Sequence, residues 1–125
     1  MGDYRKLKVW RMAHGLTISI YHGTRDFPAE EKFGLASQMR RAAVSVTSNI
    51  AEGCGRNRNA EMARFVRHAM GSCTELEYQV LLCEELRFIS PPLASDLNHV
   101  TTQLRAMLAS LHRRLAGIEK LRGHV

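Results

Sequence analysis

The run Met62-Ala63-Arg64-Phe65-Val66-Arg67-His68-Ala69-Met70-Gly71-Ser72-Cys73-Thr74-Glu75-Leu76-Glu77-Tyr78-Gln79-Val80-Leu81-Leu82-Cys83 decides the fold. Met62, Val66, Ala69, Cys73, Leu76, Val80 and Cys83 recur at alternating steps of four and three. A mean step of about 3.5 residues is the seam of helices packed nearly parallel or antiparallel in a bundle.

Working outward, the same spacing appears three more times. Leu93, Leu97, Val100, Leu104, Met107 and Leu111 continue it toward the C-terminus, followed by Leu115 and Ile118. Upstream, Leu35, Met39, Ala43, Val46 and Ile50 form one stripe; Val9, Ala13, Leu16 and Ile20 form another, widened by Trp10, Thr17 and Tyr21. The expectation is one all-α domain over residues 1–125, an antiparallel up-and-down four-helix bundle with helices near 6–23, 31–53, 59–88 and 92–119.

The breaks agree. The residue before proline avoids helical geometry, so Phe27-Pro28 separates the first two helices. Gly53 and Gly55 suit a left-handed turn ending the second. Asn57 or Asn59 can cap the third, with Glu61 in its first turn. Ser90-Pro91-Pro92 reads as a serine cap followed by proline in a first turn. Residues from Leu121 to Val125 are expected to fray. Short connections make neighbouring helices antiparallel.

Second apolar rows flank two seams: Phe65, Leu81 and Leu82 on the third helix, Leu108 and Ala109 on the fourth. They fit either a wider core or burial against another subunit. No apolar run reaches the roughly 20 residues of a membrane span. The segment from Met1 to Lys8 lacks the apolar stretch of a signal peptide. Lys6 stands where myristoylation of Gly2 wants serine or threonine. Cys54, Cys73 and Cys83 are an odd set. Cys73 and Cys83 lie about 15 Å apart along one helix, too far to bond. A reducing, cytoplasmic setting follows.

The sequence carries no catalytic signature. Metal-carboxylate bundles need two Glu-x-x-His pairs; Asp96-x-x-His99 is the nearest match and nothing pairs with it. There is no His-x-x-x-His or Cys-x-x-Cys spacing for zinc. Gly53-Cys54-Gly55-Arg56 follows a helix and lacks the Gly-Lys-Ser/Thr ending of a phosphate loop. Ser45, Ser48, Ser72 and Ser110 lie in no Gly-x-Ser-x-Gly elbow. No enzyme, metal or cofactor is expected.

Charge says more. Net charge is +6 with a pI of about 9.7, which fits plain solubility or an anionic partner. Residues 1–25 hold five Lys or Arg against one acid. Residues 36–70 hold Arg40, Arg41, Arg56, Arg58, Arg64 and Arg67 against Glu52 and Glu61, and residues 71–96 reverse the sign. These six arginines are the candidate phosphate contacts, since guanidinium forks match phosphate oxygens. The low aromatic content speaks against base stacking. The alternative is a protein-interaction adaptor in which Arg40 or Arg41 pairs with Glu52, or with acids such as Glu77 and Glu84 of a neighbouring helix.

Several runs resemble a known bacterial family. They are Tyr4-Arg5-Lys6-Leu7-Lys8-Val9-Trp10, Phe27-Pro28, Glu31-Lys32-Phe33-Gly34-Leu35, Ser37-Gln38-Met39-Arg40-Arg41-Ala42-Ala43-Val44-Ser45 and Ser48-Asn49-Ile50-Ala51-Glu52-Gly53. The family comprises the four-helix-bundle proteins encoded in intervening sequences of large-subunit ribosomal RNA genes. Its relatives are the accessory variability determinant proteins of diversity-generating retroelements. The resemblance spans about Tyr4 to Leu115. It implies a bundle assembling as a homopentameric ring without known catalytic activity. In the accessory-variability relatives a basic surface binds RNA or DNA and cooperates with a reverse transcriptase. One position departs: the family usually has proline where this chain has Thr47, so a kink in the second helix is not expected here.

Overall fold

The computed structural model describes residues 2–123. It holds four α-helices: α1 (Lys8–Gly23), α2 (Leu35–Cys54), α3 (Asn59–Glu85) and α4 (Pro91–Gly123). Short 3-10 turns precede the first two, at Tyr4–Lys6 and Ala29–Glu31. No strand occurs among the described residues.

Each helix buries the stripe its spacing dictates. Val9, Ala13, Leu16 and Ile20 of α1 meet Leu35, Met39, Ala43, Val46 and Ile50 of α2, and the whole α3 seam from Met62 to Cys83 is buried with them in one core. Around the bundle α1 packs on α2 and α4, and α3 packs on α2 and α4, while the backbones of the diagonal pairs stay apart. The partners between α2 and α3 run in reverse order. Gly53 lies against Met62 and Phe65, Ser45 hydrogen-bonds Ser72 at 2.9 Å, and the Cys83 thiol points at the Met39 sulfur, 3.2 Å away.

On α4 the buried seam differs from the expected one. Leu97, Leu104, Leu111 and Leu115 are in the core, but the intervening places belong to Ala94, Thr101 and Leu108. Leu93, Val100 and Met107 are only half-buried. Thr101 is wholly enclosed because its hydroxyl donates to the Leu97 carbonyl at 2.7 Å. That bond removes most of the cost of burying a polar group. Leu108 is therefore core, not flank. Ile118, expected on the seam, is 42% exposed.

Several terminal details also differ. α2 begins at Leu35, not near residue 31, because the backbone at Gly34 (φ −106°, ψ −112°) is not helical. Gly53 is helical and buried, and Gly55 ends α2 with φ −81°. Neither forms a left-handed turn. Gly53 instead permits close approach: a Cβ there would sit 3.0 Å from the Phe65 Cβ. Cys54 is buried, not a turn residue. Arg58 occupies the N-cap of α3, and neither Asn57 nor Asn59 caps it by a side-chain hydrogen bond. α3 stops at Glu85 because Arg87 takes the left-handed conformation (φ 61°), letting Phe88 N–H reach the Cys83 carbonyl at 2.9 Å. Ser90 does cap α4, its hydroxyl accepting from Leu93 N–H at 3.3 Å. α4 runs on through Leu121 to Gly123, a stretch expected to fray; residues 124 and 125 lie outside the described residues.

Candidate nucleic-acid interface

The six arginines singled out in the sequence fall into two groups. Arg40 lies in the second turn of α2 and Arg56 just beyond the C-terminal end of that helix, roughly 20 Å away at the ordinary helical rise. Arg40 is held at the far end of α1. Its Nε donates to Thr24 Oγ1 at 2.9 Å, and its guanidinium lies 4.7 Å from the Tyr21 ring centroid. Arg41 is exposed beside it on a groove lined by Tyr21, Lys32, Phe33, Ser37 and Val44.

Arg56, Arg58, Arg64 and Arg67 gather where α2 gives way to α3. The half-buried Phe65 holds two of them: Arg56 lies 4.9 Å and Arg64 5.5 Å from its ring centroid. Cation–π contact suits guanidinium groups that remain wet on their other face. Arg56 also meets Glu52 at 3.4 Å, an exposed pair that holds it weakly. Arg41, Arg58 and Arg67 make no hydrogen bond or ion pair among the described residues, and all three are exposed.

The fold adds residues from both ends of the chain to this site. The Gly2 carbonyl accepts from the Cys54 thiol at 3.5 Å, which sets Arg5, Lys6 and Lys8 beside the end of α2. Leu7, Lys8 and Val9 in turn share a groove with Met107, Ser110, Leu111 and Arg114 of α4. One end of the bundle thus collects Arg5, Lys6 and Lys8, then Arg56, Arg58, Arg64 and Arg67, then Arg113 and Arg114. Asp3 stands among them but is engaged. Its carboxylate accepts from the Arg5 side chain at 3.1 Å and from the Arg5 N–H at 3.0 Å, which holds its pKa below the ordinary range. The N-terminal excess of basic residues was visible in the sequence; that it would meet the α2–α3 corner and α4 was not.

Glu52 and Glu61 also stand at this corner, in the last turn of α2 and the first turn of α3, while Glu75, Glu77, Glu84 and Glu85 lie farther along α3. Glu77 accepts from Arg105 Nε at 2.8 Å across α3 and α4. Glu52 pairs with Arg56, so neither acid is taken by Arg40 or Arg41 within the chain. Among the described residues no three His, Cys, Asp or Glu side chains come close enough to hold a metal ion. No described helix is long and apolar enough to cross a membrane.

Four helices around a single core, with basic residues from three segments gathered at one end, define a small all-α protein. The chain belongs to the 23S rRNA-intervening sequence protein family, whose model it matches over residues 5–110. Among solved structures it is similar to a protein of unknown function of the S23 ribosomal protein family from Bacteroides thetaiotaomicron. That likeness has a TM-score of 0.75 at 20% identity and covers 83% of this chain and 97% of the other. At that identity it speaks for the fold alone. No curated protein matches the chain.

Proposed function

We propose that this protein is a non-enzymatic, cytoplasmic scaffold that binds RNA or DNA through the basic end of an antiparallel up-and-down bundle. The observation that carries this reading is convergence. Three basic segments distant in sequence meet at one end, while most acids lie toward the other. A concentrated positive surface attracts phosphate regardless of sequence, and binding weakens steeply as salt rises. Arg56, Arg58, Arg64 and Arg67 are the central contacts. Arg40 and Arg41 lie too far away to share a short site with them. The three free, buried cysteines accord with a reducing compartment. An electrophoretic shift assay with structured RNA and duplex DNA, at low and moderate salt, tests the proposal. No shift at low salt ends it.

The scaffold works as a homo-oligomer, a homopentameric ring in keeping with the accessory variability determinant-like resemblance; a reverse transcriptase is the protein partner that resemblance suggests. Two unlike grooves on opposite sides of the bundle support self-association. One, between α1 and α2, carries Arg41 beside Phe33, which is 88% exposed, together with Val44 and Tyr21. The other, between α3 and α4, carries Glu84 and Glu77 beside Leu81. Unlike complementary faces make head-to-tail contacts that close into rings. Phe33→Glu should lower the native mass to that of a monomer in light scattering. An unchanged mass would remove Phe33 from the interface.

The protein-interaction adaptor is the second reading. It is favoured by the tethering of Arg40 to Thr24 and Tyr21, which makes that arginine part of the frame. Arg41→Ala separates the two readings: loss of assembly with nucleic-acid affinity intact assigns Arg41 to the adaptor role.

A further inference from the structure

The basic end also carries an aromatic ladder. Tyr4 packs edge-on against Trp10 with centroids 4.9 Å apart, and Trp10 stacks on His14 at 5.0 Å with the rings 7° from parallel. Trp10 leans on the core, which fixes the ladder to the bundle, while His14 is exposed. The N-terminal turn that supplies Tyr4 is preorganised. Arg11 Nη1 donates to the Arg5 and Lys6 carbonyls at 3.2 and 2.8 Å, and Asp3 caps the same turn. Lys6 and Lys8 stand exposed alongside.

We propose that Tyr4, Trp10 and His14 form a stacking site for unpaired nucleobases, so that the basic end prefers single-stranded nucleic acid to duplex. The inference rests on the nucleic-acid reading above and deepens it. The exposed His14 accepts any base, because every base has a π-face, while the neighbouring lysines take the phosphates. Bases inside a duplex are already stacked on one another and cannot use it. The aromatic content of the chain is low, but placement matters more than number: Trp10 and His14 are parallel, Tyr4 braces Trp10 edge-on, and the three lie beside the positive charge.

Trp10 is the single tryptophan, so its fluorescence reports on the ladder alone. The intact chain is titrated at low salt with short oligouridylate, oligothymidylate and a blunt duplex of matched length. The expected results are quenching of Trp10 by the single strands, weaker binding of the duplex, about a tenfold loss of single-strand affinity in His14→Ala, and its recovery in His14→Phe. Circular dichroism confirms that the variants keep their helices. Binding that leaves Trp10 unquenched, an equal affinity for duplex, or a His14→Ala variant that binds like the parent overturns the stacking site while leaving the basic end standing. No binding of any oligonucleotide overturns both.

Discussion

The hydroxyls of Thr17 and Thr47 meet 2.9 Å apart in the seam between α1 and α2, and both lie 3.2 Å from the carbonyl of Ala43. A proline at position 47 would deprive that carbonyl of its helical N–H partner. In this chain the Thr17 hydroxyl lies between the Ala13 carbonyl of its own helix, at 2.9 Å, and the Ala43 carbonyl, so its one proton can turn to Ala43 when the N–H is lost.

Thr47→Pro should therefore cost less than the roughly 3 kcal/mol of an ordinary helix-interior proline. The same substitution in a Thr17→Val background should cost more, since no hydroxyl then reaches Ala43. Urea denaturation of the two singles and the double closes the cycle. Strict additivity would show that Thr17 does not stand in for the lost bond.

Gly53 separates α2 from α3 by the absence of a side chain. Gly53→Val should destabilise the bundle by about 1–3 kcal/mol through overpacking against Phe65 and Met62. Because Phe65 holds Arg56 and Arg64, the variant should also weaken nucleic-acid binding at temperatures where it remains folded. Thermal melts and shift assays read the two effects separately.

Arg87 sits at φ 61°, where a side chain is strained and glycine is not. Arg87→Gly should raise stability by up to about 1 kcal/mol, despite the greater freedom glycine gives the unfolded chain. A lower denaturation midpoint would mean that the arginine side chain contributes contacts outweighing the strain.

Two thiols make stability sensitive to alkali. Burial pushes Cys73 up to about 12, helped by the nearby charge of Glu77, and pushes Cys83 up to about 11, helped by Glu31. Both folded values exceed the ordinary 9.0, so the native state favours the neutral thiol. Their contribution is complete below about pH 9 and is lost as pH rises toward 11 and 12. Urea midpoints at pH 7, 9 and 10.5 should fall in that order. A Cys73→Ala, Cys83→Ala variant should lose less between pH 9 and 10.5.

Arg58 is exposed and makes no ion pair among the described residues, so its removal should act on binding alone. Arg58→Ala should weaken every sequence alike and lower the salt slope by about one. A sequence-selective loss would place Arg58 against base edges instead.

The α3 seam was fully legible, because seven apolar residues recur there without interruption and all are buried. The α4 seam was misread at alternate places. Thr101 is polar by composition yet core by virtue of its bond to Leu97, so an apolar count skips it and shifts to Val100. Gly53 was read as a turn because spacing does not reveal how closely two backbones approach. The arginines were legible as a group, but their division was not. Arg40 lies near the start of α2 and Arg56 just past its end, and only the packing of α1 and α4 shows which other cations join each end.

The docking of Gly2 on Cys54, together with the course of α4 past Leu7 and Val9, brings the N-terminal turn and the α4 residues around Arg114 to the charged pole. A fluorescent label placed on either of these segments would crowd the very surface under study. Labels for functional work belong at the opposite pole, in the bend after Thr24 or the one around Arg87, where Phe27 and Phe88 lean together 5.3 Å apart.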